Sequence, residues 1–142
     1  MTEIIRPVIV KDRKDIPSDA DVIDAFSRSL EELFFIENPR FKKGMPEAEQ
    51  PLADFLRNSK VQGVWVYYPW SRKAVHCMPE ELYFKLRTAR NRNVITEEEQ
   101  RNYRNAKVGI AGLSVGSAVL EALVVSGGSK VLKIADFDVV EV

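Results

Sequence analysis

The sequence predicts an α/β chain: an N-terminal α+β region over residues 1–90, then a single β-α-β unit beginning in residues 91–142. Three observations carry that prediction. From Lys107 the chain reads KVGIAG, a short loop, SAVLEALVVS, a Gly127-Gly128 stop and KVLKIAD, which is apolar strand, apolar helix and apolar strand in turn. VQGVWVYY and KAVHC are rich in β-branched and aromatic residues and are split by the turn-like PWSR, so they form an antiparallel hairpin. The segments before and between them repeat apolar residues at helical spacing.

Taken in order, Ser18-Asp19 followed by DVIDAFSRSLEELFFI predicts a capped helix with Val22, Phe26, Leu30 and Leu33 along one face, ending before Asn38-Pro39. RFKKGMPEAEQ is polar and punctuated and is expected to be a loop. PLADFLRN after it predicts a short helix with Leu52, Phe55 and Leu56 inward. Beyond the hairpin, Pro79 suits the first turn of a helix EELYFKLRTAR, where Glu80 and Glu81 face the N-terminal dipole favourably. Thr96 to Glu99 then spells a capping box for a helix EEEQRNYRN. No repeat or low-complexity tract interrupts this order.

Composition removes several classes of function. With 21 basic and 21 acidic residues the chain carries no net charge to attract a polyanion, and no nucleic-acid partner is expected. The N-terminal MTEIIRPVIVKDRK has an apolar run too short for a secretory or spanning segment, so the expected setting is cytoplasmic with no membrane partner. Cys77 stands alone, which leaves neither an internal disulfide nor a Cys-rich metal site, and no metal-binding residue is assigned.

The candidate site is the segment GLSVGS, Gly112 to Ser117. A dinucleotide loop uses its first glycine for a tight turn, its second to let backbone approach phosphate, and its third to let helix and strand pack closely. Gly112, Ser114 and Ser117 fall on those spacings, with Gly116 as an additional glycine. Serine keeps the loop small, and Ser114 can cap the helix or donate its hydroxyl to phosphate. Asp136 closes the next strand, where a ribose acceptor belongs. The same residues also suit a plain strand-to-helix turn with a capping aspartate. Asp138 either assists Asp136 or begins the next loop.

The stretch GLSVGSAVLEALVVSGGSKVLKIADFD, the box RNRNVIT at Arg90 to Thr96 and the lead-in EEEQRNYRNAKVGIAG together resemble the ThiF-like, ubiquitin-activating-enzyme-like adenylyltransferases, over roughly the last third of the chain. The resemblance implies a Rossmann-like adenylation domain, of which this chain holds the first β-α-β. It implies ATP as cofactor, held by the loop with Asp136 on the ribose. It also implies adenylation of a carboxylate, that of a ubiquitin-like protein or another carboxylate substrate. Arg92 falls on the family's arginine that reaches the triphosphate of the partner subunit, which makes Arg92 the catalytic candidate and implies a homodimer. Magnesium would be bound by residues equivalent to positions after Val142, so the 142-residue chain alone is expected to be inactive. Read without gaps, Ser114, Val115 and Ser117 replace family glycines. A one-residue deletion would place Gly116 on the last loop glycine instead.

Two other readings use the same residues. A nicotinamide- or flavin-linked oxidoreductase would share the loop and Asp136 but give Arg92 no task. A non-enzymatic module would bind another polypeptide through the hairpin or a sheet edge. His76 and Cys77 are neighbours in a strand and point to opposite faces, which is poor geometry for a nucleophile pair, so an ordinary histidine and a core cysteine are expected. Trp65, Tyr67, Tyr68 and Trp70 lack interleaved basic residues and are expected to be hairpin core and edge rather than a base-stacking platform.

Overall fold

The computed structural model describes residues 6–137, which form a mixed α/β chain divided into two compact units, one up to Leu86 and one from Arg87. In the N-terminal unit, β3 (Val64–Tyr68) and β4 (Lys73–Cys77) pair antiparallel as the hairpin pattern predicts. Between them Pro69–Ser71 makes a 3-10 turn, and Arg72 takes the left-handed conformation (φ 49°) that closes the hairpin. Two further strands flank this pair, giving the order β1-β3-β4-β2. The first, β1 (Val8–Val10), lies antiparallel to β3 and is too short to show in the sequence pattern.

The second, β2 (Asp21–Asp24), corrects the sequence expectation, because DVID was assigned to the start of a helix. It pairs parallel with β4, Val22 opposite Ala74 and Ile23 opposite Val75. Backbone pairing with a strand distant in sequence overrides the accidental helical spacing of Val22 and Phe26. The helix α1 therefore begins at Phe26 and runs to Glu37. The Asp24 carboxylate accepts from the Phe26 amide (3.0 Å) and the Ser27 hydroxyl (3.1 Å), so the aspartate ends the strand and starts the helix. Partial burial raises its pKa, but those hydrogen bonds and the nearby His76 outweigh burial and hold the carboxyl below its usual range. Stabilisation from this group is then present above the ordinary carboxylate range and lost as pH falls through the lowered value, which an NMR titration of the carboxyl carbon would follow.

The next helix, α2, also differs from expectation. It runs Pro46–Asn58 and so takes in PEAEQ, which was expected to be loop. Pro46 occupies the first turn with Glu47 and Glu49 against the dipole, while Pro51 sits inside the helix. Pro51 removes the bond to the carbonyl of Glu47, an exposed residue. Leu30, Leu33 and Met78 form the buried core, with Phe26, Phe55, Val61 and, from α3 (Glu80–Thr88), Leu82 and Leu86 packed around it. Phe34 of α1 is also buried, against the rings of Phe35, Phe41 and Phe55.

The C-terminal unit holds a 3-10 turn Ala89–Asn93, then α4 (Glu97–Asn105), β5 (Lys107–Ala111), α5 (Gly116–Val125) and β6 (Val131–Ala135). The capping box forms as predicted: Glu99 N–H donates to the Thr96 hydroxyl oxygen (3.2 Å) and Thr96 N–H to the Glu99 carboxylate (2.7 Å). Those bonds from the Thr96 amide and hydroxyl hold the Glu99 carboxyl below its usual range. The strands β5 and β6 are parallel, from Lys107 opposite Val131 to Ala111 opposite Ala135, so β5-α5-β6 is a β-α-β unit. Among the described residues no helix is long and apolar enough to cross a membrane.

Candidate functional site

The glycine segment lies where β5 turns into α5. Gly112 has φ +84°, which an L side chain rarely adopts, so the first glycine supplies the tight turn its spacing suggested. Its amide donates to the Ala135 carbonyl (2.8 Å), extending the β5-β6 ladder by one step. Asp136 follows directly, and its carboxylate accepts a hydrogen bond from the Leu113 amide. The loop and the acid at the end of the second strand thus touch. Leu113 was missed by sequence reasoning, since its contribution is a backbone amide that carries no side-chain signal.

Beyond Leu113 the chain enters α5. Ser117 N–H bonds to the Leu113 carbonyl (3.0 Å) and Ala118 N–H to the Val115 carbonyl (3.2 Å). Among the described residues no group accepts from the amides of Ser114, Val115 and Gly116, which are unpaired donors at the N-terminus of the helix. Of the two roles open to Ser114, the helix cap does not form: α5 has no side-chain cap, and the Ser117 hydroxyl donates to the Ser114 carbonyl (2.9 Å). Both serines are exposed.

Gly116, not Ser117, does the close packing of helix against strand. A Cβ at Gly116 would stand 2.8 Å from Cγ2 of Ile110 in β5, whereas Ser117 already carries its side chain outward. In this geometry the loop spans one residue fewer than the ungapped spacing suggested. Gly116→Ala should therefore destabilise the protein by about 1–3 kcal/mol, the overpacking range. Ser117→Gly should cost only about 0.5 kcal/mol of helix propensity. Chemical denaturation of the two variants measures the difference, and equal effects would return the packing role to position 117.

Arg92 sits exposed in the 3-10 turn Ala89–Asn93, at the other end of α5. Its neighbour Asn91 donates to the Ser126 carbonyl (3.0 Å) and to the Gln100 side-chain oxygen (2.6 Å). Buried Gln100 donates in turn to the Gly127 carbonyl (3.2 Å), and the Tyr103 hydroxyl bonds that of Ser126 (2.9 Å). These side chains take up the carbonyls of Ser126 and Gly127 just past α5, where the chain turns at Gly127 (φ +76°), while the helix's own last carbonyls accept from the amides of Ser126, Gly127 and Gly128. The ten residues of α5 measure about 15 Å along the axis, so Arg92 is held roughly a helix length from the loop of its own chain. In the sequence Asn91 had a place only in the box RNRNVIT and Gln100 only in the helix EEEQRNYRN, and sequence reasoning missed that both bind the chain just past one helix end.

Asp138 lies outside the described residues. His76 Nδ1 is 3.2 Å from the Asp24 carboxylate, and its ring stacks on Trp65 (centroids 4.4 Å apart) and near Phe26 (4.7 Å). A Cβ on Gly63 would come within 2.2 Å of His76 Nε2, so that edge of the ring lies against backbone and the histidine is a packed pin of the fold. Cys77 is half-buried, and burial pushes its thiol pKa up, away from a reactive thiolate.

The chain is similar to uncharacterized protein MT1398 of Mycobacterium tuberculosis (strain CDC 1551 / Oshkosh), with 34% identity over 134 residues that make up 94% of this chain and 17% of that protein. The chain thus spans about a sixth of the length of this curated relative, and the similarity runs through both units. No protein-family profile matches the chain, and no solved structure matches it significantly.

Proposed function

We propose that the C-terminal unit opens a Rossmann-like nucleotide-binding domain of a ThiF-like adenylyltransferase, which activates a carboxylate with ATP. The observation that carries this reading is the contact between Asp136 and the loop amide of Leu113. A parallel β-α-β unit with a glycine turn after its first strand and an acid beside that turn is the arrangement a nucleotide needs: donors for phosphate and an acceptor for the ribose diol. That the Leu113 amide holds a carboxylate oxygen also fits it to anionic ligands. The amides of Ser114, Val115 and Gly116 would face the phosphates, with the Ser114 and Ser117 hydroxyls exposed beside them.

In such a reaction a carboxylate oxygen of the substrate would bond to the α-phosphorus of ATP as the bond to the α,β-bridging oxygen breaks, giving an acyl adenylate, and pyrophosphate would leave with the electrons of the broken bond. What this chain contributes is position and charge: loop amides on the phosphates, Asp136 on the ribose, and Arg92 toward a partner's triphosphate in a homodimer. Exposed apolar residues on α5 and β6, including Val119, Val125 and Ile134, support a larger parallel sheet that would cover them. The magnesium implied by the resemblance finds no group of three His, Cys, Asp or Glu among the described residues that could hold it.

The reading is tested by ATP and NAD binding to the full-length protein and its Asp136→Ala variant. ATP is expected to bind and NAD not. The variant should lose about 1.5–3 kcal/mol of ATP affinity, the range for hydrogen bonds to a charged group. Preference for NAD would favour the oxidoreductase reading, and unchanged ATP affinity in the folded variant would remove the nucleotide role of this strand end.

A further inference from the structure

Asp136 is placed by the backbone, not by chance. The parallel ladder ends with Ala111 opposite Ala135, and the Gly112 amide adds one more bond, to the Ala135 carbonyl (2.8 Å). The next residue on β6's side is therefore carried beside the next residue on the loop's side, and the carboxylate of Asp136 closes on the amide of Leu113. That amide is part of the same run of donors as the N–H groups of Ser114 to Gly116, which meet no acceptor among the described residues. An anion belonging to the protein thus occupies the mouth of the anion site. Any phosphate that enters meets a like charge within a few ångströms and finds one donor already taken.

We propose that Asp136 is a selectivity gate: its carboxylate holds the Leu113 amide and turns away bare polyphosphates, and a ligand with a vicinal sugar diol lifts this block by offering the carboxylate two donors in exchange. This rests on the nucleotide reading above and deepens it. An acid that only recognised ribose would add affinity for nucleotides and leave inorganic phosphates unaffected. A gate also subtracts affinity from every phosphate compound that lacks the diol. The site would then reject inorganic triphosphate and pyrophosphate, which share its phosphate chemistry and would otherwise compete for the loop.

The test is calorimetric binding of ATP, 2′,3′-dideoxy-ATP and inorganic triphosphate to the full-length protein, its Asp136→Ala variant and its Asp136→Asn variant. The asparagine keeps an acceptor for Leu113 and removes only the charge, so it controls for collapse of the loop. The gate predicts that Asp136→Ala binds inorganic triphosphate about ten-fold more tightly than the parent, with Asp136→Asn between them, while ATP weakens in both. It also predicts that the parent strongly prefers ATP to the dideoxy compound and that Asp136→Ala binds the two alike. If ATP weakens but inorganic triphosphate is unchanged, the gate is wrong and the nucleotide reading stands. If both weaken together, Asp136 props the loop open for phosphate, and the gate is again wrong. If the parent binds no ATP, the gate and the reading fall together.

Discussion

Replacing Arg92 by alanine in the full-length protein is expected to cut turnover by about a thousand-fold while leaving the protein folded, the scale on which an arginine supplied to a phosphoryl-transfer site acts. The expectation of intact folding comes from exposure: the residue lies in a 3-10 turn whose attachment is made by Asn91, not by Arg92. The expectation of a trans role comes from distance. Asn91 fixes that turn to the C-terminal end of α5, about a helix length from the loop. On the proposed adenylyltransferase reading, the loop that Arg92 serves is then that of a two-fold partner. A planar guanidinium suits the charge that gathers on leaving pyrophosphate oxygens. Mixing Arg92→Ala subunits with Asp136→Ala subunits should then restore activity at one of two sites, because that site draws its acid and its arginine from different intact chains. Mixed dimers that form yet stay inactive would exclude action in trans. Full turnover in Arg92→Ala would leave the segment as a solvated basic turn.

How far the sequence alone could be read depended on whether the deciding contact is local. The Thr96–Glu99 capping box, the hairpin from Val64 to Cys77 and the β5-α5-β6 order each depend on residues close in the chain, and each was legible. Asp21–Asp24 was not, because its partner strand β4 lies far along the sequence and its own spacing imitates a helix. The start of α2 was hidden by Pro51, which a rule about helix interiors reads as a boundary. At the candidate site the turn at Gly112 was legible from glycine itself. The substitution of Gly116 for position 117 was not, since it depends on a contact with Ile110 across the β-α turn. The acid was legible as a residue, but its bond to Leu113 needed the strand register. The role of polar Asn91 and Gln100 was not legible, because nothing in the sequence says that α5 ends beside them.

The second large effect concerns the core of the N-terminal unit. Phe34→Ala is expected to destabilise the protein by about 3–5 kcal/mol, the range for removing a buried aromatic ring. Phe34 is 3% exposed, and its ring meets Phe35 edge-on at 5.2 Å, Phe41 stacked at 5.7 Å and Phe55 tilted at 5.5 Å. It therefore joins three pieces of chain: α1, the segment after it, and α2. The rings around it belong to different pieces of chain and can close on the space only in part, so a cavity contribution adds to the lost transfer energy. A domain is stable by only about 5–15 kcal/mol, so this one change removes a large share and should loosen α2 from α1. Phe34→Leu, which keeps most of the apolar volume, should cost well under half as much. Val94→Ala, at a residue 84% exposed, should stay within about 0.5 kcal/mol of the parent. Urea unfolding of the three variants measures the series, and a loss below about 1 kcal/mol for Phe34→Ala would mean that the aromatic cluster does not hold these helices together.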